Sequence, residues 1–593
     1  MSNLTLAKKL PPTHIAVKRS DPAYNAHSYL TKVPLAAIRP FVEAYTQPGD
    51  LVLDPFAGSG MTGVAAAISG RRAVLRDINV LGRHIGANYV NLVDAERYRA
   101  AVRATVQSAL ERVGDVYATR CGRCDGRAEL SRTTWSMVCE CRHCGGKLNF
   151  YRELERAGWS KSKMDCPHCG QGFVLRGTRR IGEEPVLDTI ACECAPKLVD
   201  QEPSPPLVQA RIEGLAWPDL AIGSDRQMFQ ASALAKHNLV TTASFFSERN
   251  LAVLAALREG IEEEDDMAMR RKLLFAFTAI LARASKRYQW SRKRPLNAAH
   301  QHYYIAPVFY EWNVIDLFER KTEAVVRSDA FIREERRSAA FVRAELETGD
   351  ELPVEYELGS ADALDLPDES VDYVFTDPPF GSNIFYSDMS LFQEAWLGGT
   401  TDHDREAVVD RSGNGAKRRT AERYEALIAG ALSECHRVLK PHGRLSLVFS
   451  NSSGAMWALV QRAVAAARFV IDADHITVLD KGQRSVKGLA SGFENIVTAD
   501  LVLSMRKAGI DDNVSEFRLA PEGFLDQAID EALAGKERDT PTHVYLGVVR
   551  QYLRHGYDVG AIDMAHIAHH LADLGYEVNA ATGTIARVLD GAA

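Results

Sequence analysis

The chain has 593 residues, of which 46% are hydrophobic and 25% charged, with a formal net charge of −7. At roughly 150 residues per domain there is room for three or four domains, each able to bury a core, and this balance excludes a mainly disordered or fibrous chain. The acidic balance excludes a uniformly basic coat for nucleic acid but leaves room for a local basic groove. The N-terminal MSNLTLAKKLPPTHIAV has no apolar run of signal-peptide length, and the longest apolar stretch, Leu273 to Leu281, is far short of a membrane span. A soluble cytoplasmic protein with no membrane partner is expected. In that reducing compartment clustered cysteines predict metal rather than disulfides.

In chain order, LVLD (51–54) reads as a strand, PFAGSG as a small-residue turn, and the Ala/Val stretch to Ser69 as a helix. AVLRD (73–77) is a second strand, completing a β-α-β unit of the open α/β type. Residues 80–118 read as helical, and 119–200 hold nine of the ten cysteines. The linker EPSPPLV starts at Glu202, and residues 246–290 are helix-rich around an acidic EEEDD (262–266). Strands resume at 354–358 and 371–375; a helix over about 421–438, a strand at 444–449, a helix over about 455–467 and two strands at 469–479 and 495–505 follow. The tail from about 507 is helix-rich. The pattern predicts one α/β domain split by a long insertion. The expected parts are 1–118 and 350–506 for the two halves, 119–200 for the cysteine insert, 201–349 for a helical insert and 507–593 for a helical C-terminal domain.

Asp54-Pro55-Phe56-Ala57-Gly58-Ser59-Gly60 stands where a strand hands over to a helix. Glycine there lets the backbone approach a ligand, and the helix N-terminus adds a partial positive end. Asp77, ending the second strand, is placed to accept hydrogen bonds from a ribose diol. Two ligands compete. Gly58, Gly60 and Gly63 spell the dinucleotide fingerprint, a weak signal alone. An S-adenosylmethionine loop is the second reading, because Asp54 suits a cationic amino group and would repel a pyrophosphate.

Thr376-Asp377-Pro378-Pro379-Phe380 follows the strand VDYVF. Two prolines fix the backbone and remove two donors, so the carbonyls of Asp377 and Pro378 can be aimed outward. An aspartate, a fixed carbonyl and an aromatic ring suit a planar exocyclic amine held by two acceptors, with the ring stacked on its base. The segment LDPFAGSGMTGVAA resembles the cofactor loop of the amino-group DNA methyltransferases, which modify adenine N6 or cytosine N4, and TDPPF resembles their catalytic motif. His27, Lys32 and Pro34 resemble the segment those enzymes place before the loop, Asp362 matches an acid used near the cofactor's adenine, and RVLKPHGRLSLVF resembles their fifth strand. The motif order is that of the family's α group, whose insert recognises the target.

The resemblance implies a Rossmann-like S-adenosylmethionine-dependent methyltransferase fold. It assigns cofactor contact to Lys32, Asp54, Pro55, Phe56, Ala57, Gly58, Ser59, Gly60, Thr62, Asp77 and Asp362. It assigns catalysis to Asp377, Pro378, Pro379 and Phe380. The target amine is drawn toward tetrahedral geometry by hydrogen bonds to the Asp377 side chain and the Pro378 carbonyl, so catalysis is mainly orientation and electrostatics. A base in a duplex must be flipped out to reach such a site, and Phe380 then stacks on it. The commoner motif ends in Tyr rather than Phe380, so stacking survives but a hydroxyl is lost. Asp at the first position favours adenine over cytosine. Duplex DNA is the implied partner, with a restriction or phage-defence partner a family-level expectation.

Cys121-x-x-Cys124 and Cys141-x-x-Cys144, sixteen residues apart, have the spacing of a zinc ribbon. Cys166, Cys169, Cys192 and Cys194 form the expected second site, with Cys139 spare and His143 or His168 as substitutes. All-cysteine sites are closed, so the zinc is expected to be structural. Residues 120–180 carry 13 Lys+Arg against 6 Asp+Glu, which suits phosphate contacts. The run Lys286 to Arg294 interleaves cations with Tyr288 and Trp290 and suits nucleic acid or, equally, a solvated helix end. Arg411 to Arg419 reads as a loop beside the catalytic motif. The rivals are a cytosine-N4 DNA enzyme, a guanine-N2 tRNA methyltransferase, a zinc-ribbon nucleic-acid-binding protein with an inactive methyltransferase fold, and a dehydrogenase.

Overall fold

A computed structural model describes residues 10–587 apart from 19, 163, 175–177, 233, 293–295, 298–302, 339–351, 382–383, 411–418, 481–496, 498, 511, 513, 515–516, 535–539 and 579–583. The chain divides into two compact units, one formed by residues 1–92, 327–387 and 401–593, the other by 93–326 and 388–400. Among the described residues no helix is long and apolar enough to cross a membrane.

The first unit is built on an eight-stranded sheet. Its strands are β1 (His14–Ala16), β2 (Leu51–Asp54), β3 (Arg72–Asp77), β4 (Val354–Leu358), β5 (Val371–Thr376), β6 (Leu439–Phe449), β7 (Phe469–Asp480) and β8 (Asp500–Lys507). Their order is β1-β7-β8-β6-β5-β2-β3-β4. β8 runs antiparallel to both β6 and β7, whereas the remaining neighbours are parallel. The Rossmann-like α/β fold expected from the sequence is therefore present. The central strands are near-continuous apolar runs because helices cover both faces.

Chain order reverses between β2 and β5, which pair directly through Tyr373–Val52 and Val374–Leu53. Such a reversal opens a crevice outside the carboxyl ends of the strands. Asp54 ends β2, and Asp377 follows the last residue of β5, so both acids are delivered to this crevice. The C-terminal helices Phe524–Ala534, Pro541–Arg554 and Met564–Asp573 contribute Phe524, Tyr545, Val549 and Ile567 to the same apolar core that holds Phe449 and Trp457.

The second unit contains a long antiparallel ribbon, Arg127–Glu140 against Arg179–Ala191, with Val308–Trp312 on its other edge. Its helices include Ala95–Val113, Glu248–Glu262 and Met267–Ala284. The acidic EEEDD segment separates the last two, and Asp266 caps the second by accepting from the N–H groups of Ala268 and Met269.

A candidate cofactor and catalytic cleft, and two cysteine centres

The small-residue turn after β2 is shaped by packing. Gly60 caps the helix Met61–Ile68 at φ +76°, a left-handed conformation that favours glycine. A Cβ on Gly60 would stand 2.6 Å from the Gly86 Cα, and one on Gly63 would stand 2.7 Å from Leu75 Cδ1. The Gly58 N–H donates to Asp77 Oδ2 at 2.8 Å, and the Tyr356 hydroxyl donates to the Gly58 carbonyl at 2.6 Å. The loop is thus tied at both backbone groups of Gly58, which leaves its outer face over a cavity of about 990 Å3, mouth included.

Five carboxyl side chains line that cavity, Asp54, Asp77, Asp362, Asp377 and Glu406, against two cationic ones, Lys32 and Arg405. Lys32 is buried, and its ammonium donates to the carbonyls of Tyr24 and His27 and to the Tyr89 hydroxyl. The Asp54 carboxyl accepts from the Phe56 N–H at 3.1 Å and the Thr62 hydroxyl at 2.6 Å, both neutral donors. Burial pushes its acid up to about 7. A buried carboxyl held by neutral donors in an acidic cavity suits a ligand that brings its own positive charge, and disfavours a pyrophosphate.

Pro55, Phe56, Ala57, Gly58, Ser59, Thr62 and Pro379 also line the cavity. Gly60, Pro378 and Phe380 do not. Gly60 is turned against Gly86, Pro378 is buried, and Phe380 packs edge-on against Phe449 with ring centres 5.2 Å apart. The backbone of the motif is fixed from outside. The Tyr424 hydroxyl donates to the Pro379 carbonyl at 2.7 Å, and the Asn451 side-chain amide donates to the Phe380 carbonyl at 2.8 Å. Among the described residues no donor reaches the Pro378 carbonyl.

Sequence reasoning missed the lining residues Tyr29, Thr31 and Glu406. Tyr29 and Tyr386 stack with centres 6.1 Å apart, and the Thr31 and Tyr386 hydroxyls are 2.7 Å apart. Glu406 accepts from the backbone N–H of Tyr386 and from the Ser387 hydroxyl. Nothing local marks Glu406; its role depends on a partner nineteen residues away. Thr31, at φ +54°, likewise carries no signal of its own.

The cysteines of the second unit are brought together differently from the expected sets. One group is Cys121, Cys124, Cys192 and Cys194; the other is Cys141, Cys144, Cys166 and Cys169. The expected pairing of Cys121 and Cys124 with Cys141 and Cys144, and of Cys166 and Cys169 with Cys192 and Cys194, is thereby corrected. The cause is the ribbon. Glu129 pairs with Ala191 at one end and Glu140 with Arg179 at the other. The fourteen-residue strand Arg127–Glu140, about 45 Å long at about 3.3 Å per residue, separates Cys124 from Cys141.

Both groups fit a tetrahedral ion. In each the four sulfurs lie within 4.8 Å of one another. Individual Sγ–Sγ distances are 3.6 Å (Cys121–Cys194 and Cys124–Cys192), 3.8 Å (Cys141–Cys169) and 3.7 Å (Cys144–Cys166). A metal–sulfur bond of about 2.3 Å implies an edge of about 3.8 Å. The three C-x-x-C turns share one shape, with residues 125, 145 and 170 at positive φ. Backbone N–H groups of Arg123 and Cys124 hold the Cys121 thiol down at about 6, and those of Cys144 and His143 do the same for Cys141. Cys139 is buried and belongs to neither group.

The basic run 286–294 is partly spent inside the unit. Lys286 pairs with Glu183 at 2.9 Å, and Arg287 is buried over the rings of Tyr303 and Phe392. Trp290 joins a half-buried aromatic group with Tyr151 and Trp159, on which the exposed Arg292 rests. Lys293 and Arg294, and residues 411–418 of the second basic run, lie outside the described residues. Arg419 at its end is buried and pairs with Asp410 at 2.7 Å.

A family model described as DNA methylase, of the N6/N4 class, matches residues 9–92. The "DNA adenine methyltransferase YhdJ" of Escherichia coli (strain K12) is 39% identical over 77 residues, covering 13% of this chain and 26% of that protein. The "Type II methyltransferase M.XycI" of Xanthomonas campestris pv. cyanopsidis is 43% identical over 54 residues, 9% of this chain and 18% of that one. The chain thus spans under a third of the length of the curated relatives it matches. A solved SAM-dependent methyltransferase of Methanosarcina mazei is 14% identical with a TM-score of 0.15, covering 30% of this chain and 76% of its own.

Proposed function

We propose, from the match of residues 9–92 to a family model described as DNA methylase, that this chain is an S-adenosylmethionine-dependent DNA methyltransferase. Its target is the exocyclic amine of a flipped base, adenine N6 in the first instance. The observation that carries this reading is the meeting of Asp54 and Asp377 in one acidic cavity at adjacent strand ends. The cofactor, when bound, supplies an electrophilic methyl group on a sulfonium centre. Of the residues lining the cavity, Asp54 would hold its ammonium, the Gly58–Ser59 backbone would face it, Asp77 would accept from its ribose and Asp362 would take its adenine side. The excess of carboxyl over cationic side chains in the lining favours this positively charged ligand over a dinucleotide.

Asp377 and the Pro378 carbonyl accept the two N–H bonds of the target amine. Those bonds would weaken lone-pair donation into the ring and aim the nitrogen for in-line attack. The proton, acidic once the methyl has moved, leaves toward Asp377. Asp rather than Ser at the head of the motif supports adenine, as does the likeness to a relative named as an adenine methyltransferase. Each cysteine group holds one structural zinc ion. The surplus of positive charge over residues 120–180 and the Arg292–Trp159 stack support contacts of this insert with DNA.

The test is tritiated methyl transfer to duplex DNA followed by nucleoside mass spectrometry. N6-methyladenine is expected, with Asp377→Ala losing about 10²–10³-fold or more in rate while cofactor binding by calorimetry is retained. N4-methylcytosine would reassign the base. Methylated tRNA beside unmodified DNA, or full activity of the Asp377→Ala form, would overturn the reading.

A further inference from the structure

The C-terminal helices have no assigned task, yet they meet the chain where it supports the catalytic motif. β6 ends at Phe449, and residues 450–453 turn into the helix Gly454–Ala466. In that turn the buried Asn451 side chain is used twice. Its Oδ1 accepts from the Ser453 N–H at 2.9 Å, and its Nδ2 donates to the Phe380 carbonyl at 2.8 Å. The Asn451 backbone carbonyl accepts from the Tyr545 hydroxyl and from Trp457 Nε1, each at 3.0 Å. Tyr545 is fully buried on the helix Pro541–Arg554. The C-terminal segment grips the same turn at two further points. Asp563 accepts from the Gly454 N–H at 2.7 Å, and the Met564 N–H donates to the Ser452 carbonyl at 2.9 Å.

The motif needs this support. Proline fixes φ at positions 378 and 379, and Pro379 confines ψ of Pro378 to the extended region without fixing it; a ψ rotation within that region still re-aims the Pro378 carbonyl. Tying the next two carbonyls, Pro379 to Tyr424 and Phe380 to Asn451, removes that freedom. Gly381, at φ +89°, closes the segment against the Met456 side chain, which a Cβ would approach to 2.5 Å. Misplacing a reacting group by about 1 Å costs on the order of 10²-fold in rate.

We infer that the C-terminal segment is a positioning element for the Asp377–Phe380 motif, acting through Tyr545 and Asn451. The inference rests on the reading of 377–380 as the group that holds the target amine. Neither Tyr545 nor Asn451 lines the cavity; both are positioning residues.

Asn451→Asp tests this directly. It keeps the acceptor for Ser453 and replaces the donor toward Phe380 by a carboxylate. The single-turnover rate of methyl transfer is expected to fall about 10–100-fold at pH 8, with cofactor and DNA affinities within about twofold. Part of the loss returns as the pH is lowered toward about 6, where a protonated carboxyl donates again; the parent chain lacks this rise. Tyr545→Phe lowers kcat by about 3–10-fold at unchanged KM. Gln461→Ala is the control. It removes two other contacts of the C-terminal segment, with the Tyr557 carbonyl at 2.9 Å and the Val559 N–H at 3.1 Å. It lowers Tm at least as far as Tyr545→Phe but leaves kcat within about twofold.

Hydrogen exchange at the Phe380 and Gly381 amides reads the same coupling without activity. Exchange is expected to be several-fold faster in Asn451→Asp and Tyr545→Phe and unchanged in Gln461→Ala. Equal effects in all three variants, or no change in the first two, overturn the inference. If the parent chain methylates no DNA while the exchange pattern holds, the proposed function falls and the positioning role stands.

Discussion

At Asp54 the environment departs far from what the position in the sequence conveys. An acid at the end of a strand before a glycine turn is legible in LVLDPFAGSG. Its burial, and the bond from Thr62 in the first turn of the following helix, come only with the fold. The consequence is measurable. An unfolded aspartate titrates near 3.9, whereas Asp54 is held at about 7 by burial, so the folded state binds more protons between these values. Stability present below about pH 4 is therefore lost as pH rises through about 7. Asp54→Asn abolishes that loss, and urea unfolding is expected to show the variant gaining about 2–3 kcal/mol on the parent chain between about pH 5 and 8. A cationic ligand beside Asp54 draws the acid down again. Cofactor binding at about pH 6 should then release a proton, visible as a buffer-dependent heat in calorimetry. Glu406 is the opposite case, because its partners Tyr386 and Ser387 begin the helix Tyr386–Leu397, which stands between them and Glu406 in the chain.

At the scale of elements, the strands and helices around the site follow the apolar patterning of the sequence closely. LVLD and VEYEL coincide with observed strands, and EEEDD does separate two helices. The cysteine centres do not follow so simply. Each C-x-x-C turn is local and readable; which turns share an ion depends on the ribbon that carries them apart. Native mass spectrometry is expected to find two zinc ions per chain. Cys121→Ser and Cys192→Ser should each lose the same ion, and Cys141→Ser and Cys166→Ser the other. Loss of one common ion from Cys121→Ser and Cys141→Ser would restore the pairing by sequence proximity. The basic run 286–294 shows the same limit. Its charge is visible in sequence, but Arg287 sits over buried aromatic rings and Lys286 is matched by Glu183. A count of cations alone therefore overstates what faces a phosphate.

Across the whole molecule, distant segments converge on the first unit. β4 and β5, some 280 residues or more beyond β3 and β2, pair with them in register, and the C-terminal helices share the core of β6 and β8. Gly454 marks how close that last contact is. A Cβ there would lie 2.4 Å from the Val559 carbonyl oxygen and 2.7 Å from the Ile562 nitrogen, both backbone atoms with little room to move. Gly454→Ala is expected to destabilise the protein by about 2–3 kcal/mol in chemical denaturation, whereas Gly398→Ala, in open space at φ +78°, reports only the smaller conformational penalty of about 1–2 kcal/mol.

The amino-acid sequence by itself determined the strands of the two α/β halves apart from β1, the glycine turn, the Asp-Pro-Pro-Phe motif and the cysteine turns. Each depends on neighbours within a few residues, where periodicity, proline and glycine act directly on the backbone. The tertiary structure alone decided which cysteines meet, that Asp54 is buried in an acidic cavity, and that Asn451 and Tyr545 hold the motif from behind. Those facts depend on sheet register and on contacts between residues up to hundreds of positions apart, and no local pattern encodes them.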